Sequence, residues 1–254
     1  MEVINIIAII QARTGSSRLP NKLFYDLSGL PFLFHVVNRL KPSKEINKIV
    51  VATTTSSKDD CVEHWCVKNS VDFYRGSEKN VLRRYYQAAK KFNANIIIRV
   101  TADDPFKDFR IVDNAINIIK KKNYDFVCNN NPPSFPEGLD VEVITMKALT
   151  MSFYDSKSSF EKEHVTQYIH RNKNKFKIFN IKNDKDFSKY RWTVDTEEDY
   201  VFVKNVYDNL YKKNNIFLTE DIYKLLREKP ELLKINKNIK KSHMYKKINY
   251  EKNK

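Results

Sequence analysis

Short apolar runs alternate along most of the chain with segments in which apolar residues have helical spacing. The runs at 6–10, 48–53 and 95–101 are rich in Ile and Val, which is typical of strands buried on both faces of a parallel sheet. The segments 81–90 and 111–122 place apolar residues three or four positions apart, as on one face of a helix. This alternation predicts an α/β protein, a three-layer sandwich around a mostly parallel, Rossmann-like sheet.

The pattern is less regular in the second half of the chain. Residues 138–144 alternate between apolar and polar positions, so we predict an edge strand or an antiparallel strand there. From the sequence of residues 161–170 we predict one continuous helix. Thr196, followed by Asp199 three positions later, matches a capping box and predicts that a further helix begins there.

The composition changes near residue 212, where Lys and Asn become dominant. We therefore predict one domain over residues 1–211 and a Lys/Asn-rich C-terminal extension over 212–254. Segments of this composition bury little apolar surface, so we expect the extension to be partly helical, at 219–228, or disordered and loosely docked.

The chain is strongly basic, with 46 Lys and Arg against 31 Asp and Glu and a formal net charge of +15. Such a charge makes nucleic acid a candidate partner. The lysines are spread widely, however, and no helix-turn-helix, zinc-finger or aromatic RNA-binding motif is present. We expect nucleic acid not to be the main partner.

The sequence has no apolar run near the roughly 18–20 residues that a membrane-spanning helix needs. Its first residues lack the cationic region and cleavage site of a signal peptide. We therefore expect a cytoplasmic protein without a membrane partner. Cys61, Cys66 and Cys128 do not make a disulfide framework, which fits a reducing compartment.

The loop after the first strand is the strongest chemical signal. It carries Arg13, Arg18 and Lys22 together with Gly15 and Ser16. Cations, hydroxyls and a glycine after a buried strand suit the phosphates of a nucleotide. The spacing matches neither a P-loop nor the dinucleotide fingerprint. On spacing alone, a solvated loop remains the alternative.

Two acidic residues lie where predicted strands end, Asp103 after the run at 95–101 and Asp195 before the helix at Thr196. Ligands of open α/β sheets gather at the carboxyl ends of strands. Two carboxylates there can hold Mg²⁺, which takes oxygen ligands and shares them with substrate phosphates. Capping of turns or helix starts is the alternative role for such residues.

Three segments together resemble a known family. Residues 11–22 look like the signature loop of the bacterial cytidylyltransferases that make CMP-activated acidic sugars, and most like the SpsF-like branch of spore-coat polysaccharide biosynthesis. Residues 102–105 and 194–199 are similar to the two acidic turns of that family. Ala102 replaces the family's Gly and Glu197 its Pro, and neither change removes a carboxylate.

The resemblance implies a sheet of the nucleotide-diphospho-sugar transferase type and a reaction that couples CTP to an anionic acceptor. The acceptor would be an acidic sugar, a polyol phosphate or a phosphonate, and the products a CMP-linked compound and pyrophosphate for surface polysaccharide or glycoconjugate synthesis. Mg²⁺ is the implied cofactor. Because proteins of this fold are often dimers, a homodimer is also an expectation.

The resemblance also implies a role for each of a set of residues. Those expected in catalysis are Arg13, Arg18, Lys22, Asp103 and Asp195, of which Asp103 and Asp195 bind the metal. Those expected to bind the nucleotide are Gln11, Ala12, Arg13, Gly15, Ser16, Arg18, Lys22, Thr53, Thr54, Gly76, Ser77 and Thr101. Those expected to bind the second substrate are Glu137, Asp140, Glu142, Glu163 and His164.

Other functions remain open at this point. A glycosyltransferase, or a nucleotidyltransferase of the same fold that uses another nucleotide, is the nearest alternative. A catalytically silent scaffold and a basic nucleic-acid-binding protein are more remote. For His164 we favour substrate contact over general-base catalysis, with a structural histidine as the further alternative.

Overall fold

The structure is a computed structural model that describes residues 4–16, 18–213 and 215–240. Its strands are β1 (Ile6–Gln11), β2 (Asp26–Leu27), β3 (Leu30–Pro31), β4 (Lys48–Thr54), β5 (Asp72–Gly76), β6 (Ile96–Thr101), β7 (Phe126–Cys128), β8 (Glu142–Thr145) and β9 (Ile178–Asn180). Its α-helices are α1 (Phe32–Asn38), α2 (Asp60–Lys68), α3 (Val81–Lys91), α4 (Phe109–Lys122), α5 (Met146–Asp155), α6 (Ser159–Glu163), α7 (Gln167–Arg171), α8 (Glu197–Leu210) and α9 (Thr219–Glu228).

The main sheet has the strand order β5-β4-β1-β6-β8-β7-β9. Strands β5, β4, β1 and β6 are parallel neighbours, and β8 runs antiparallel to both β6 and β7. The predicted α/β class and mostly parallel sheet are thereby confirmed. The carboxyl ends of β1, β4, β5 and β6 all lie at the same edge of the sheet.

Strand β1 is buried on both faces, as its continuous apolar run predicts. Ile6 and Ile10 pack into one core together with side chains of α1, α2, α4, α8 and α9. Ile7 and Ile9 pack into the core on the opposite face, together with α3, α5 and α7. Full burial of such a side chain contributes about 1.5–3 kcal/mol. The two cores explain why the molecule has three layers.

Strand β8 differs from the expectation for residues 138–144. Its antiparallel direction is confirmed, but an edge position is wrong, because β8 lies inside the sheet between β6 and β7. The polar residue in the alternating pattern, Glu142, is 3% exposed. Its cross-strand neighbour in β6 is Arg99, and the ion pair between them allows an interior strand to carry a charge.

The predicted helix over 161–170 is interrupted. α6 ends at Glu163, α7 begins at Gln167, and Val165 between them has a φ of 28°. Positive φ is rare for β-branched residues. The interruption buries Val165 and lets the Thr166 hydroxyl donate to Glu142 Oε1 at 2.9 Å. A long-range hydrogen bond has thus replaced one helical turn.

The described part of the segment after residue 212 packs against the same core as α8. Helix α9 has the bounds of the predicted helical patch, and Phe217, Ile222 and Leu225 are buried. Asn236 Nδ2 donates to the Arg191 carbonyl at 2.9 Å and to Asp199 Oδ1 at 3.0 Å. Residues 215–240 are therefore not loosely docked, because their apolar positions form one face of a helix. The lysine-rich residues 241–254 lie outside the described residues.

Among the described helices, none combines the length and the apolar composition that crossing a lipid bilayer requires.

Candidate active site

A cavity of about 610 Å³ opens at the carboxyl ends of β1 and β6. Gln11 ends β1, Thr101 ends β6, and both line it. The loop after β1 contributes Arg13 and Arg18, and the turn after β6 contributes Asp103. This is the edge at which open α/β sheets bind their ligands.

Lys22 is the centre of a buried charged cluster beside the cavity. Its side chain is 10% exposed, and Nζ donates to Asp103 Oδ2 and Asp195 Oδ1, each at 3.3 Å, and to the Val194 carbonyl at 2.5 Å. Burial opposes the positive charge, but the attraction of the two carboxylates outweighs it and raises the pKa of Lys22 above its ordinary value. One cation therefore holds together two carboxylates from distant parts of the chain.

Asp195 is positioned by two arginines as well as by Lys22. Arg191 donates to Asp195 Oδ2 at 3.0 Å, and Arg18 lies 3.2 Å from the same oxygen. Arg191 also pairs with Asp199 at 2.9 Å. The Asp199 carboxylate accepts from the backbone of Thr196 and forms the predicted capping box with the Thr196 hydroxyl. The start of α8 thus fixes the position of Asp195.

Gly138 brings the loop before β8 against this arrangement. Its φ is +106°, and a Cβ there would come within 2.7 Å of the backbone of Trp192 and Thr193. A side chain would therefore separate the two segments. Their close contact places Glu137 beside Arg191, with 2.9 Å between Oε1 and Nη1.

The loop after β1 is held by a buried carboxylate at the start of α2. Asp59 Oδ1 accepts from the Thr14 backbone at 2.7 Å and from its hydroxyl at 2.8 Å. The Thr54 hydroxyl donates to the other oxygen of Asp59. Ser16 Oγ accepts from the Leu19 backbone at 3.3 Å. These bonds shape the loop that presents Arg13 and Arg18, while Ser17 of this loop lies outside the described residues.

The opposite wall of the cavity contains a closed polar network. Arg99 donates to Glu142 Oε2 at 2.5 Å, and the Thr166 hydroxyl and His170 ring lie 2.9 and 3.7 Å from Oε1. Burial opposes the Glu142 charge, but Arg99 and then His170 outweigh it and hold the pKa of that carboxyl far below its ordinary value. Glu142 therefore stays ionised and paired.

Asp104, next to the expected metal residue, belongs to a second buried pair. Its Oδ2 accepts from Lys107 at 2.9 Å and from the Thr101 hydroxyl at 2.7 Å. Lys107 also donates to the Asp140 carbonyl. Burial, only partly opposed by Lys107, raises the pKa of Asp104. Both carboxylates line the cavity, but the Asp104 side chain is 7% exposed and orders the turn, whereas the Asp103 side chain is 30% exposed.

The structure brings together most of the residues singled out in the sequence, but not all. Those that line the cavity are Gln11, Ala12, Arg13, Arg18, Thr101, Asp103, Glu137, Asp140, Glu142, Glu163, His164 and Asp195. Lys22 lies behind Asp103 and Asp195. Those that do not line it are Gly15, Ser16, Thr53, Thr54, Gly76 and Ser77. For this last group, contact with a nucleotide stays a prediction.

Sequence reasoning missed four lysines and arginines that line the cavity: Lys79, Arg84, Arg99 and Lys107. Arg99 had a readable signal, because it is a charged residue inside the apolar run of β6. Arg84 had a weaker one, since it lies on the apolar face of α3. Lys107 had only its spacing of three residues from Asp104, because its other partner, the Asp140 carbonyl, is distant in sequence.

Asp103 and Asp195 fit the chemistry of a Mg²⁺ site. Both are within 3.3 Å of one Lys22 nitrogen, so both can reach one ion. Burial would raise the pKa of Asp103, but Lys22 outweighs it and lowers that pKa, which keeps the oxygens anionic. Among the described residues no group of three or more His, Cys, Asp or Glu could hold a metal. Mg²⁺ commonly binds one or two carboxylates plus substrate phosphates, which this pair can supply.

Comparison with known proteins agrees with this geometry. The family model described as cytidylyltransferase matches residues 7–247. The chain belongs to the cytidylyltransferase family. The predicted resemblance is thereby confirmed, and the match continues through most of the segment after residue 212.

Two relatives match this cytidylyltransferase over nearly its whole length. The spore coat polysaccharide biosynthesis protein SpsF of Bacillus subtilis is 31% identical over 89% of this chain and 96% of its own. A solved cytidylyltransferase from Leptospira borgpetersenii is 33% identical, with a TM-score of 0.87, over 95% of this chain and all of the other. The first of these confirms the predicted SpsF-like branch.

A more distant structure shares the fold alone. It is CMP:2-keto-3-deoxy-manno-octonic acid synthetase complexed with CTP, 17% identical, with a TM-score of 0.61 over 80% of this chain and 98% of the other. The nucleotidyltransferase class that we predicted from the sequence is therefore confirmed at the level of family and fold.

Proposed function

We propose that this cytidylyltransferase transfers CMP from CTP to an acidic sugar and releases pyrophosphate, with Asp103, Asp195 and Lys22 at the reacting phosphate. The observation that carries the proposal is the contact of Lys22 with both carboxylates at the mouth of the cavity. A buried cation between two ionised carboxylates supports a site built for phosphate oxygens and a divalent ion.

The cations of the loop after β1 neutralise the triphosphate. Arg13 is exposed at the cavity, and the Arg18 side chain is 58% exposed with only a single ion pair. A guanidinium matches the paired oxygens of a phosphate with two parallel N–H donors. As negative charge develops on the departing pyrophosphate, these donors are already in position and need no reorganisation.

Asp103 and Asp195 would hold Mg²⁺, which when bound supplies positive charge to the phosphate oxygens. Lys22 holds the two carboxylates close together, and its raised pKa keeps the ammonium charged between them. Arg191 prevents Asp195 from turning away, because it is tied to Asp199 at the start of α8. The chain thus orients the metal-binding carboxylates before any ligand arrives.

The acceptor would lie between β8 and the α6–α7 turn, against Glu142, Glu163 and His164. Arg99 and Lys107 bring positive charge to this wall, and the Asn130 and Gln167 amides bring hydrogen-bonding groups. Hydroxyls and a carboxylate of a sugar acid suit such a surface. The 3-deoxy-manno-octulosonate cytidylyltransferase of Trichlorobacter lovleyi, 31% identical over 44% of this chain, supports this class of acceptor. A homodimer stays a prediction.

The test is pyrophosphate release with CTP, Mg²⁺ and a panel of sugar acids, polyol phosphates and phosphonates, with UTP in place of CTP as the control. We expect release that requires CTP, Mg²⁺ and a sugar acid. Release with UTP at the same rate would contradict the nucleotide assignment. Release with a polyol phosphate and not with any sugar acid would contradict the acceptor assignment.

A further inference from the structure

Arg84 is a buried cavity residue that no carboxylate of the described residues contacts as an ion pair. It lies in the first turns of α3, is 2% exposed and lines the cavity. Among the described residues it forms no ion pair with a carboxylate. Arg191, whose side chain is 6% exposed, pairs with Asp199, and the less buried Arg99, at 12%, pairs with Glu142. Burial of an unpaired charge is costly, so its presence at a ligand cavity requires an explanation.

The hydrogen bonds of Arg84 leave one edge of its guanidinium unused. Nη1 donates to the Ser77 carbonyl at 2.7 Å, and this is the side chain's one hydrogen bond with the described part of the chain. Nε has no partner. The edge formed by Nε and Nη2 carries two parallel N–H donors, the arrangement that binds two oxygens of one phosphate.

The surroundings hold this side chain in place and favour an anion. A Cβ at residue 76 would come within 3.1 Å of Arg84 Cγ, so Gly76 leaves the space that the side chain needs. Burial lowers the pKa of Arg84, and the nearby charge of Arg13 acts in the same direction. Two like charges near each other, at the positive end of a helix, are stabilised by a polyanion.

We infer that Arg84 binds phosphate oxygens of CTP through its Nε–Nη2 edge, together with Arg13. The inference rests on the proposed function, since it assigns a further residue to the triphosphate of that reaction. The same residue contributes to affinity for any inorganic polyphosphate that enters the cavity, because the contact does not involve the base. Gly76 and Ser77 then act by positioning Arg84.

The experiment measures the Kd of CTP and of inorganic tripolyphosphate by calorimetry for the wild type, Arg84→Met and Arg83→Met. Arg83 is the matched control, because it is the neighbouring arginine of the same helix but is exposed. We expect the loss of a bidentate, charge-assisted contact to raise both Kd values about ten- to hundredfold in Arg84→Met. Arg83→Met should stay close to the wild type.

Arg84→Lys separates charge from geometry. It keeps a cation but loses the paired N–H edge, so it should recover only part of the affinity. It also replaces Arg84→Met as the decisive variant if the latter does not fold, which a thermal melt shows directly. Full recovery by lysine would mean that the guanidinium edge is not used.

The outcomes distinguish this inference from the proposed function. If the wild type binds CTP and both Arg84 variants bind it equally well, the inference is overturned and the function stands. If Arg84→Met weakens CTP but not tripolyphosphate, Arg84 contacts the nucleoside and the inference is overturned. A wild type that binds tripolyphosphate through Arg84 but does not bind CTP would support the anion contact and overturn the proposed function.

Discussion

The two walls of the cavity differ in whether their basic side chains are paired with carboxylates of the protein. On the wall that we call the triphosphate side, Arg13 and Arg84 make no ion pair with the described residues, and Arg18 has one exposed pair. On the wall that we call the acceptor side, Arg99 and Lys107 are buried and paired with Glu142 and Asp104. Charges left open are available to a ligand, whereas charges already paired shape the wall. We therefore expect substitutions on the triphosphate side to affect binding and those on the acceptor side to affect stability.

The largest expected effect is on turnover, in Asp103→Asn. The amide keeps the size of the side chain but removes the charge that pairs with Lys22 and that would hold Mg²⁺ in the proposed site. We expect kcat to fall about 10³-fold, which corresponds to roughly 4 kcal/mol in the barrier. Steady-state pyrophosphate release measures kcat, and a thermal melt shows whether the fold is kept.

Asp104→Asn is the matched control for that variant, because the residues are adjacent and both pair with a buried lysine, but the Asp104 side chain is 7% exposed and the Asp103 side chain 30%. It should lower stability more than Asp103→Asn does. If the two variants lose the same activity and the same stability, the distinction between the cavity-facing and the structural carboxylate is wrong.

A second effect, on stability, is expected for Glu142→Gln on the acceptor side. The substitution leaves Arg99 buried without its carboxylate, and breaking such a pair costs about 3–5 kcal/mol. Urea unfolding measures the loss. Asp72→Asn removes an exposed pair with Lys48 at 2.6 Å and should cost less than about 1 kcal/mol. Equal losses of unfolding free energy in Glu142→Gln and Asp72→Asn would contradict the distinction between the buried and the exposed ion pair.

A third effect, on the pH dependence of stability, is expected for His35, which lies in the core on one face of the sheet and not in either wall of the cavity. His35 is 2% exposed, and its ring nitrogen Nε2 lies 2.8 Å from the Leu27 carbonyl. Burial, reinforced by Arg39, lowers the pKa of His35 to about 4. Between that value and the ordinary pKa of about 6.5, the unfolded chain binds more protons than the folded chain. Stability therefore falls as the pH falls through this window.

The expected loss between pH 7 and pH 5 is about 2 kcal/mol from His35 alone. Urea unfolding at the two pH values measures it. His35→Phe removes the titrating group, so its unfolding free energy should change less over this range, whatever its absolute value. An unchanged pH dependence in that variant would assign the acid sensitivity to other residues.

The smallest effect is expected for Arg18→Gln on the triphosphate side. This exposed guanidinium binds phosphate in a setting where water and salt weaken charge interactions. We expect KM for CTP to rise about three- to tenfold, equivalent to roughly 1 kcal/mol, with kcat changed less. The effect should shrink as the salt concentration rises. A salt-independent effect would indicate a structural role through Asp195.

The local features of the fold were readable from the sequence because they depend on near neighbours. The apolar run of β1, the capping box of Thr196 and Asp199, and the position of Asp103 at a strand end all follow from spacing within a few residues. On the triphosphate side, Arg13 and Arg18 follow for the same reason, since the loop after β1 supplies both, whereas Arg84 of α3 was missed.

The acceptor side was not readable, because its contacts join distant segments. The pairing of Glu142 with Arg99 depends on where β8 enters the sheet. The interruption at Val165 depends on a hydrogen bond from Thr166 to that same carboxylate. The local pattern predicted an edge strand or an antiparallel strand, of which the antiparallel direction is confirmed and the edge position is wrong. It also predicted a continuous helix, which long-range pairing interrupts.

The two hydrogen bonds of Asn236 have a consequence for the order of events during synthesis. Synthesis runs from the N-terminus, so the segments that carry Lys22, Asp103 and Asp195 are all made before Asn236. Asp195 is held by Arg191, whose backbone and carboxylate partner are both bound by Asn236. This restraint on the pair of Asp103 and Asp195 is therefore added only after residue 236 has been translated, so the final arrangement of the pair depends on a segment made well after either carboxylate.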